Sequence, residues 1–463
     1  LYGGGNISQL SGAIQFLRDR PELARSMGEA GRELMRQRHD PERHLCALSE
    51  IYETIANTWA RVRIQSRPLA LSPQRSNVSS SPPLKIAYIG GRGVIGKYSG
   101  IETYYEETGK RLARMGHQVT IYCRTRFTPA VRQHNGMRIV RLPTVRSKHL
   151  ETLIHTVLST AHACFSGHDV VHYQALGPSL FSFVPRLFGK KTLVTVQGLD
   201  WQRKKWSLFA RWVLRAAEWT SARLPNRTVV VSRTLQERFL FKYRKRCAYV
   251  PNGTQLSERT SGTYLSQFGF IPKQYVLFLG RFSPEKNCML LIDAFENIQS
   301  NMKLVLAGGS SYTDEYTGKV RSRESEKIKV LEWVSGDRLQ ELLTNAALFV
   351  LPSEIEGLSL SLLEAMGAGL CVLASDIPEN RELIADCGFT FSAGDANDLA
   401  KMLSVLLTNP GLRDEAGKKA RIRIEQNYLW DNVTRRIDAV YREVLADSNL
   451  TPKKHPRHFK KSA

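Results

Sequence analysis

Two carboxylates eight positions apart, Glu356 and Glu364, stand in the run LPSEIEGLSLSLLEAMG (351–367), which carries the most chemistry in the chain. The pattern predicts a buried strand ending at Pro352, a short loop bearing Glu356, and a helix from about Leu358 with Glu364 in its second turn. At such a helix start Gly357, Leu358 and Ser359 would present free backbone N–H groups to an anion. Glu356, beside that anion, can hydrogen-bond sugar hydroxyls, and Glu364 can accept from a ribose diol. Glu364 interrupts an apolar stretch (Leu360, Leu362, Leu363, Ala365, Met366), which argues against a purely solvated role.

A second group is Gly280-Arg281-Phe282-Ser283-Pro284-Glu285-Lys286-Asn287, directly after the strand-like YVLFLG. Arg281 and Lys286 leave the carboxyl end of that strand, where open α/β sheets bind ligands, and two fixed cations there suit a diphosphate. Solvated loop charges are the plainer alternative. A third group is GGRGVIGKYSG (90–100), between a strand and a helix. Its glycines could let backbone N–H groups approach a phosphate, with Tyr98, Ser99 and Gly100 at the helix entry. Gly91-x-Gly93-x-x-Gly96 matches the dinucleotide fingerprint, but the helix begins only near Ile101. The next strand ends at Cys123-Arg124 instead of an acidic residue that would bind a ribose hydroxyl. A tight turn without a ligand is the alternative here.

The elements that must position these groups alternate in type. Strand-like runs at 85–90, 119–123, 169–173, 192–196, 228–231 and 248–250 are separated by helical ones, and the same order restarts at 275–280, 303–307, 328–333, 348–351 and 371–374. Alternation of this kind implies an α/β protein with two doubly wound parallel sheets and a cleft between them. The expected domains are 84–265 on the acceptor side, 266–430 for the nucleotide-bearing ligand, and a final helix over 431–448 that crosses back to the first domain. Residues 449–463 form a basic disordered tail. Ahead of this body, 64–83 is a Ser/Pro/Arg-rich linker and 1–63 a helical extension. Shifted by 389 positions, the extension lies on the C-terminal region without a gap. Nine positions are then identical, among them Pro21/Pro410, Gly28/Gly417 and Tyr52/Tyr441. The extension therefore reads as the tail of a second, truncated copy with no catalytic motif of its own.

Taken together these motifs resemble the nucleotide-sugar glycosyltransferases of family 4, retaining enzymes of the GT-B fold with two facing Rossmann-like domains. The resemblance covers about 84–447 and rests on Arg281…Lys286, the Glu356…Glu364 pair, VPNG at 250–253 and IGGRGVIGKYSGIET in the first loop. The first loop and TVQGLDWQRKKW (195–206) look like a bacterial rhamnosyltransferase-like subgroup that builds surface polysaccharides. The resemblance implies that Arg281 and Lys286 hold the donor diphosphate, with Gly280 beside them. It gives Glu356 the donor sugar and Glu364 the ribose. Residues 357–359 and the Ser99-Gly100 turn would close on the phosphates from opposite domains. Gln197, Glu382, Tyr98 and Asn252 would contact acceptor or sugar. Relatives commonly carry His where Gln197 stands, and Gln cannot take a proton. Ser99 and Ile95 replace a usual glycine and proline. Transfer would proceed by front-face displacement. No D-x-D triplet occurs and the histidines lack metal spacing, so neither metal nor cofactor is expected and the nucleotide sugar is substrate.

The composition fits a soluble globular protein rather than a disordered or fibrous one: 463 residues, 42% apolar, 24% charged. The net charge of +23 calls for a polyanionic neighbour. It is concentrated: residues 186–246 hold 16 Lys+Arg against 3 Asp+Glu, interleaved with Trp201, Trp206, Phe209, Trp212, Trp219, Phe239, Phe241 and Tyr243. An amphipathic helix over 204–222 suits a domain leaning on an anionic membrane surface to reach a glycan or lipid-linked acceptor. No apolar run is long enough to span a membrane, no secretory leader is visible, and the seven cysteines form no C-x-x-C pair. The expected place is the cytoplasm, peripheral on the inner membrane face. Two other readings stay open: a nicotinamide-dependent oxidoreductase, from the glycine fingerprint, and a polyanion or nucleic-acid binder, from the basic stretch. No nucleic-acid-binding motif supports the latter.

Overall fold

The computed structural model describes residues 7–39, 82–95, 100–145, 150–203, 206–258, 260, 263–309 and 314–447. The linker over 64–81, the tail over 449–463, and Gly96, Tyr98 and Ser99 of the first loop lie outside the described residues. The chain divides into two compact units, Leu1–Ser81 and Pro82–Ala463.

The first unit contains helices Ile7–Arg18 and Pro21–His39. In the second unit, helices Ala396–Thr408 and Pro410–Asn427 each start 389 positions later. The shared Pro at the second helix's first position explains the common start, since Pro suits a site with no N–H to satisfy. Leu403 is fully buried against a sheet, whereas its counterpart Ile14 is 60% exposed.

The second unit contains two sheets. In the first, β1 (Lys85–Ile89), β2 (Gln118–Arg124), β3 (Gln133–His134), β4 (Met137–Leu142), β5 (Val170–Gln174), β6 (Lys191–Val196), β7 (Arg227–Val230) and β8 (Ala248–Tyr249) take the order β3-β4-β2-β1-β5-β6-β7-β8. All pairs are parallel except β3 with β4. In the second, β9 (Tyr275–Arg281), β10 (Lys303–Gly309), β11 (Ile328–Leu331), β12 (Leu348–Leu351), β13 (Val372–Ser375) and β14 (Phe389–Phe391) take the order β11-β10-β9-β12-β13-β14, all parallel. Near-continuous burial along β1, β5, β9 and β12 matches helices covering both faces. Strand order reverses between β1 and β5 and between β9 and β12, and those two switch points open crevices at the carboxyl ends.

The hairpin β3–β4 and the edge strand β14 were not foreseen. The turn Asn135-Gly136 has φ of 47° and 80°, the geometry that joins antiparallel strands tightly. The chain passes from the first domain to the second near Asn252, ahead of the expected boundary at 265: Ser257 and Leu265 already bond the second domain through Gly367 and Glu341. It returns at Leu429, which bridges Thr254. At this double crossing Gly253 has no room for a side chain; a Cβ there would lie 2.7 Å from Trp430. The final helix, Trp430–Ala446, then packs Trp430, Val433, Ile437 and Tyr441 into the first domain's core beside Ile86 and Tyr88.

Candidate active site

The charged residues singled out above meet at the β9/β12 switch point. Arg281 ends β9, and Lys286 ends the one-turn helix Pro284–Lys286. Lys286 Nζ donates to Glu356 Oε1 at 2.5 Å, with both side chains largely shielded from solvent. No side-chain hydrogen bond or ion pair of 4 Å or less ties Arg281 to a described residue, although Glu285, Glu356 and Asp200 all act on its charge. Burial, and next the neighbouring charge of Arg203, hold its guanidinium below the ordinary arginine range. The carbonyl oxygen of Gly280 makes Gly308 on β10 a required glycine: a Cβ on Gly308 would lie 1.8 Å from it.

The helix after β12 runs Leu360–Gly367, two residues later than expected. Ser359 is its N-cap and accepts from Leu362 N, which explains the shift because a capping serine lies outside the helix it starts. Gly357 and Leu358 precede the cap, and Glu364 lies half-buried on the helix. The N-terminus of the first domain's helix Gly100–Arg114 points to the same place. A Cβ on Gly100 would meet Leu360 at 3.0 Å. Two helix N-termini from opposite domains therefore converge, each favouring negative charge.

The start of the first loop behaves differently. Gly91 N donates to the Tyr105 hydroxyl and Arg92 N to Glu102 Oε1. A Cβ on Gly91 would collide with Tyr105, and one on Gly93 with Thr128. These glycines accommodate protein side chains, and the first two amides of the dinucleotide match, those of Gly91 and Arg92, are spent on Tyr105 and Glu102.

Gln197, at the end of β6, has both ends of its amide engaged. Oε1 accepts from Asn252 Nδ2 at 3.1 Å, and Nε2 donates to Gln174 Oε1 at 3.0 Å. Asn252 Nδ2 also reaches Leu358 O across the cleft at 3.3 Å. The chain of contacts continues from Gln174 Nε2 to His172 Nε2 (3.2 Å), and from His172 Nδ1 to the Tyr441 hydroxyl (2.7 Å) on the final helix. Burial drops the His172 pKa to about 3, so the imidazole is neutral and links the two ends. Glu382 accepts from the Arg233 and Thr234 amides at 2.7 and 3.0 Å and from the Thr234 hydroxyl. Its carboxylate thus caps helix Arg233–Tyr243 of the first domain and is directed at that helix start.

Four participants were not singled out from the sequence: Arg203, Gln174, His172 as a link, and Tyr441. Only Arg203 had a local cue, since it stands in TVQGLDWQRKKW just past the end of β6.

Two facing Rossmann-like domains with a cleft at their carboxyl edges define the GT-B class. The structure superposes on sucrose-phosphate synthase from Thermosynechococcus elongatus with a TM-score of 0.70, at 22% identity, covering 79% of this chain and 100% of that one. HepE from Anabaena, solved with UDP and glucose, gives 0.66 at 16% identity, covering 78% and 100%. The pattern for "Glycosyltransferase Family 4" matches residues 98–258, and that for "Glycosyl transferases group 1" matches 267–423. The chain belongs to glycosyltransferase family 4. Similar proteins include alpha-maltose-1-phosphate synthase of Mycobacterium tuberculosis, 29% identical over 203 residues, 40% of this chain and 52% of that protein. O-antigen chain mannosyltransferase B of Escherichia coli is 27% identical over 166 residues, 35% and 43%. The chain thus spans about half the length of the curated relatives it matches.

Proposed function

We propose that this chain is a retaining glycosyltransferase that moves a sugar from a nucleotide-diphosphate donor to a glycan or lipid-linked acceptor in surface-polysaccharide synthesis. Within the family, the rhamnosyltransferase-like group is our reading of the first-loop and 195–206 strings. The observation that carries the proposal is the Lys286–Glu356 pair beside the buried Arg281 guanidinium, at the carboxyl edge of β9 and β12.

Each group then has a task. Arg281 and Lys286 meet the diphosphate charge that grows as the bond from sugar C1 to phosphate oxygen breaks, and fixed cations in a shielded cleft cost no reorganisation. The amides of 357–359 and the helix start at Gly100 add partial positive charge from both sides. Glu356, aligned by Lys286, accepts from a donor-sugar hydroxyl, and Glu364 from the ribose. The acceptor oxygen bonds C1 on the face the phosphate leaves, and the acceptor proton passes to the departing phosphate oxygen. Configuration is therefore kept. With two cations on the diphosphate the reaction needs no divalent ion, so chelation with EDTA should leave the rate unchanged.

The first domain presents Leu208, Phe209 and Trp212 outward on helix Leu208–Arg223, within the basic stretch. That face supports the reading that the enzyme attaches to an anionic membrane, where a lipid-linked acceptor would be within reach. Among the described residues no helix is long and apolar enough to cross a membrane.

The test is sugar transfer by the purified full chain over a panel of nucleotide sugars, with Glu356→Gln and Lys286→Ala alongside. Each variant should lose about a hundredfold or more in kcat, the size seen when one oriented electrostatic partner is removed. Unchanged transfer by both would discard the site.

A further inference from the structure

Arg281 has a second guanidinium, from the other domain, among its electrostatic neighbours. Arg203 follows the short turn Asp200–Gln202, which leaves the carboxyl end of β6. Its Nε lies 3.3 Å from Asp200 Oδ1, and its Nη1 lies 3.9 Å from Oε1 of Glu285, a buried second-domain residue between Arg281 and Lys286 in sequence. The second contact crosses the cleft. Asp200 and Glu285 thus restrain Arg203 from both sides and aim it toward the end of β9.

Bringing two guanidinium groups together is unfavourable unless negative charge lies between or around them. Here that charge comes from Glu285, Glu356 and Asp200, which also act on Arg281, yet no hydrogen bond among the described residues ties down the Arg281 guanidinium, so its fork can still engage a ligand. Planar guanidiniums on opposite walls, with two helix N-termini converging beside them, match the geometry of a group carrying two adjacent phosphates.

We propose that Arg203 and Arg281 form a clamp, one arginine from each domain, on the donor diphosphate. The inference rests on reading the chain as a nucleotide-sugar transferase, and it adds a first-domain residue to the donor site. Donor binding and closure of the domains become one event, because the diphosphate bridges both walls. Glu285 acts as a positioning residue that holds Arg203 across the cleft.

The experiment measures thermal stabilisation of the full chain by inorganic pyrophosphate, UDP, GDP and ADP, together with the KM for donor and for acceptor. Arg203→Gln and Arg203→Lys are compared with Lys319→Gln, which removes one positive charge from an exposed side chain paired with Glu315 on its own helix. Arg203→Gln should weaken pyrophosphate and nucleotide binding about ten- to a hundredfold, the usual range for a charged hydrogen bond, and raise donor KM in step. Arg203→Lys should recover part of the loss, because it keeps the charge without the fork. Lys319→Gln should match the wild type. Wild-type affinity in Arg203→Gln would overturn the clamp, as would a rise confined to acceptor KM, which would place Arg203 at the acceptor. A wild-type chain that binds none of the four probes would overturn the transferase reading itself.

Discussion

The two domains share a sheet topology but bury different material. In the second, the central strands are apolar throughout: Val276, Leu277, Phe278 and Leu279 on β9, residues 304–307 on β10, residues 348–351 on β12. Its buried charged residues, Glu285, Glu341 and Arg413, lie outside those strand centres. The first domain runs polar groups through its centre. His172 and Gln174 are fully buried on β5, Thr192 and Thr195 on β6, and His155 and Glu218 on the covering helices. Glu218 is satisfied by Arg238, Lys242 and the Trp201 indole. The difference teaches where each domain's order comes from. A dry core with a polar rim holds a binding site on local loops. A core threaded by hydrogen bonds can link distant segments, and here it ties the final helix to the residue, Asn252, at which the chain changes domain.

The sharpest way to break this comparison is to add one methyl group to a glycine in each domain. A Cβ on Gly357 would lie 1.8 Å from the Gln197 carbonyl oxygen, a backbone atom across the cleft. Gly357→Ala should hold the domains apart and cut kcat/KM by about a hundredfold, the penalty for misplacing reacting groups by an ångström, with little loss of melting temperature. A Cβ on Gly93 would lie 2.4 Å from the Thr128 hydroxyl, within the first domain. Gly93→Ala should cost about 1–3 kcal/mol in stability, typical of overpacking, and should leave the kcat of the folded fraction nearly intact. Steady-state kinetics with denaturant unfolding separates the two. Equal behaviour of both variants would erase the distinction between closure and packing.

Acid comes next in size, and it should act on the first domain. Burial lowers the His172 pKa to about 3 and the His155 pKa to about 4. Each is neutral in the fold at neutral pH. Below about 6.5 the unfolded chain takes up a proton at each site while the folded chain does not, until pH approaches 4. Stability should therefore fall with pH across that window, by up to about 1.4 kcal/mol per pH unit for each histidine. Tyr441→Phe removes the partner of His172 Nδ1 and leaves a buried polar atom, at a cost of about 1–3 kcal/mol. Calorimetry from pH 7.5 to 4.5 checks both. A flat profile would show that these imidazoles are hydrated in solution.

Legibility followed the same division. The second-domain site was readable because its parts are close in sequence: Arg281 and Lys286 flank one turn, and Glu356, Ser359 and Glu364 lie within nine residues. The helix start was misjudged, because Leu358 continued the apolar run and hid the cap at Ser359, and nothing near Glu382 in sequence marked it as a cap for helix Arg233–Tyr243. In the first domain the glycine run suggested phosphate contact, but a string of letters does not say that Tyr105 and Thr128 fill the space. The link from Asn252 through Gln197, Gln174 and His172 to Tyr441 joins four segments, and no spacing within one segment marks it. Asn135-Gly136 did carry the sign of a hairpin, and MRIVRL after it was the overlooked strand.

The smallest expected effect concerns the surfaces. Exposed large apolar side chains on the second domain are scattered, such as Ile271, Trp333 and Ile422. On the first they gather: Leu208, Phe209, Trp212 and Trp219 lie along one helix, exposed by 83, 75, 68 and 51%. Leu208, Trp212 and Trp219 recur at intervals of four and seven, so they share one face. Arg215 packs its guanidinium 4.8 Å from the Trp201 ring beside them, keeping positive charge at the same surface. Inserting such a face into the headgroup layer recovers part of its apolar burial, and basic neighbours add attraction to anionic lipid. Trp212→Ser should weaken binding to vesicles of anionic phospholipid about fivefold in a sedimentation assay, with transfer to a soluble acceptor unchanged. Trp333→Ser on the second domain should have no effect on vesicle binding. If the two variants bind equally, the gathering of apolar side chains on the first domain serves something other than a membrane.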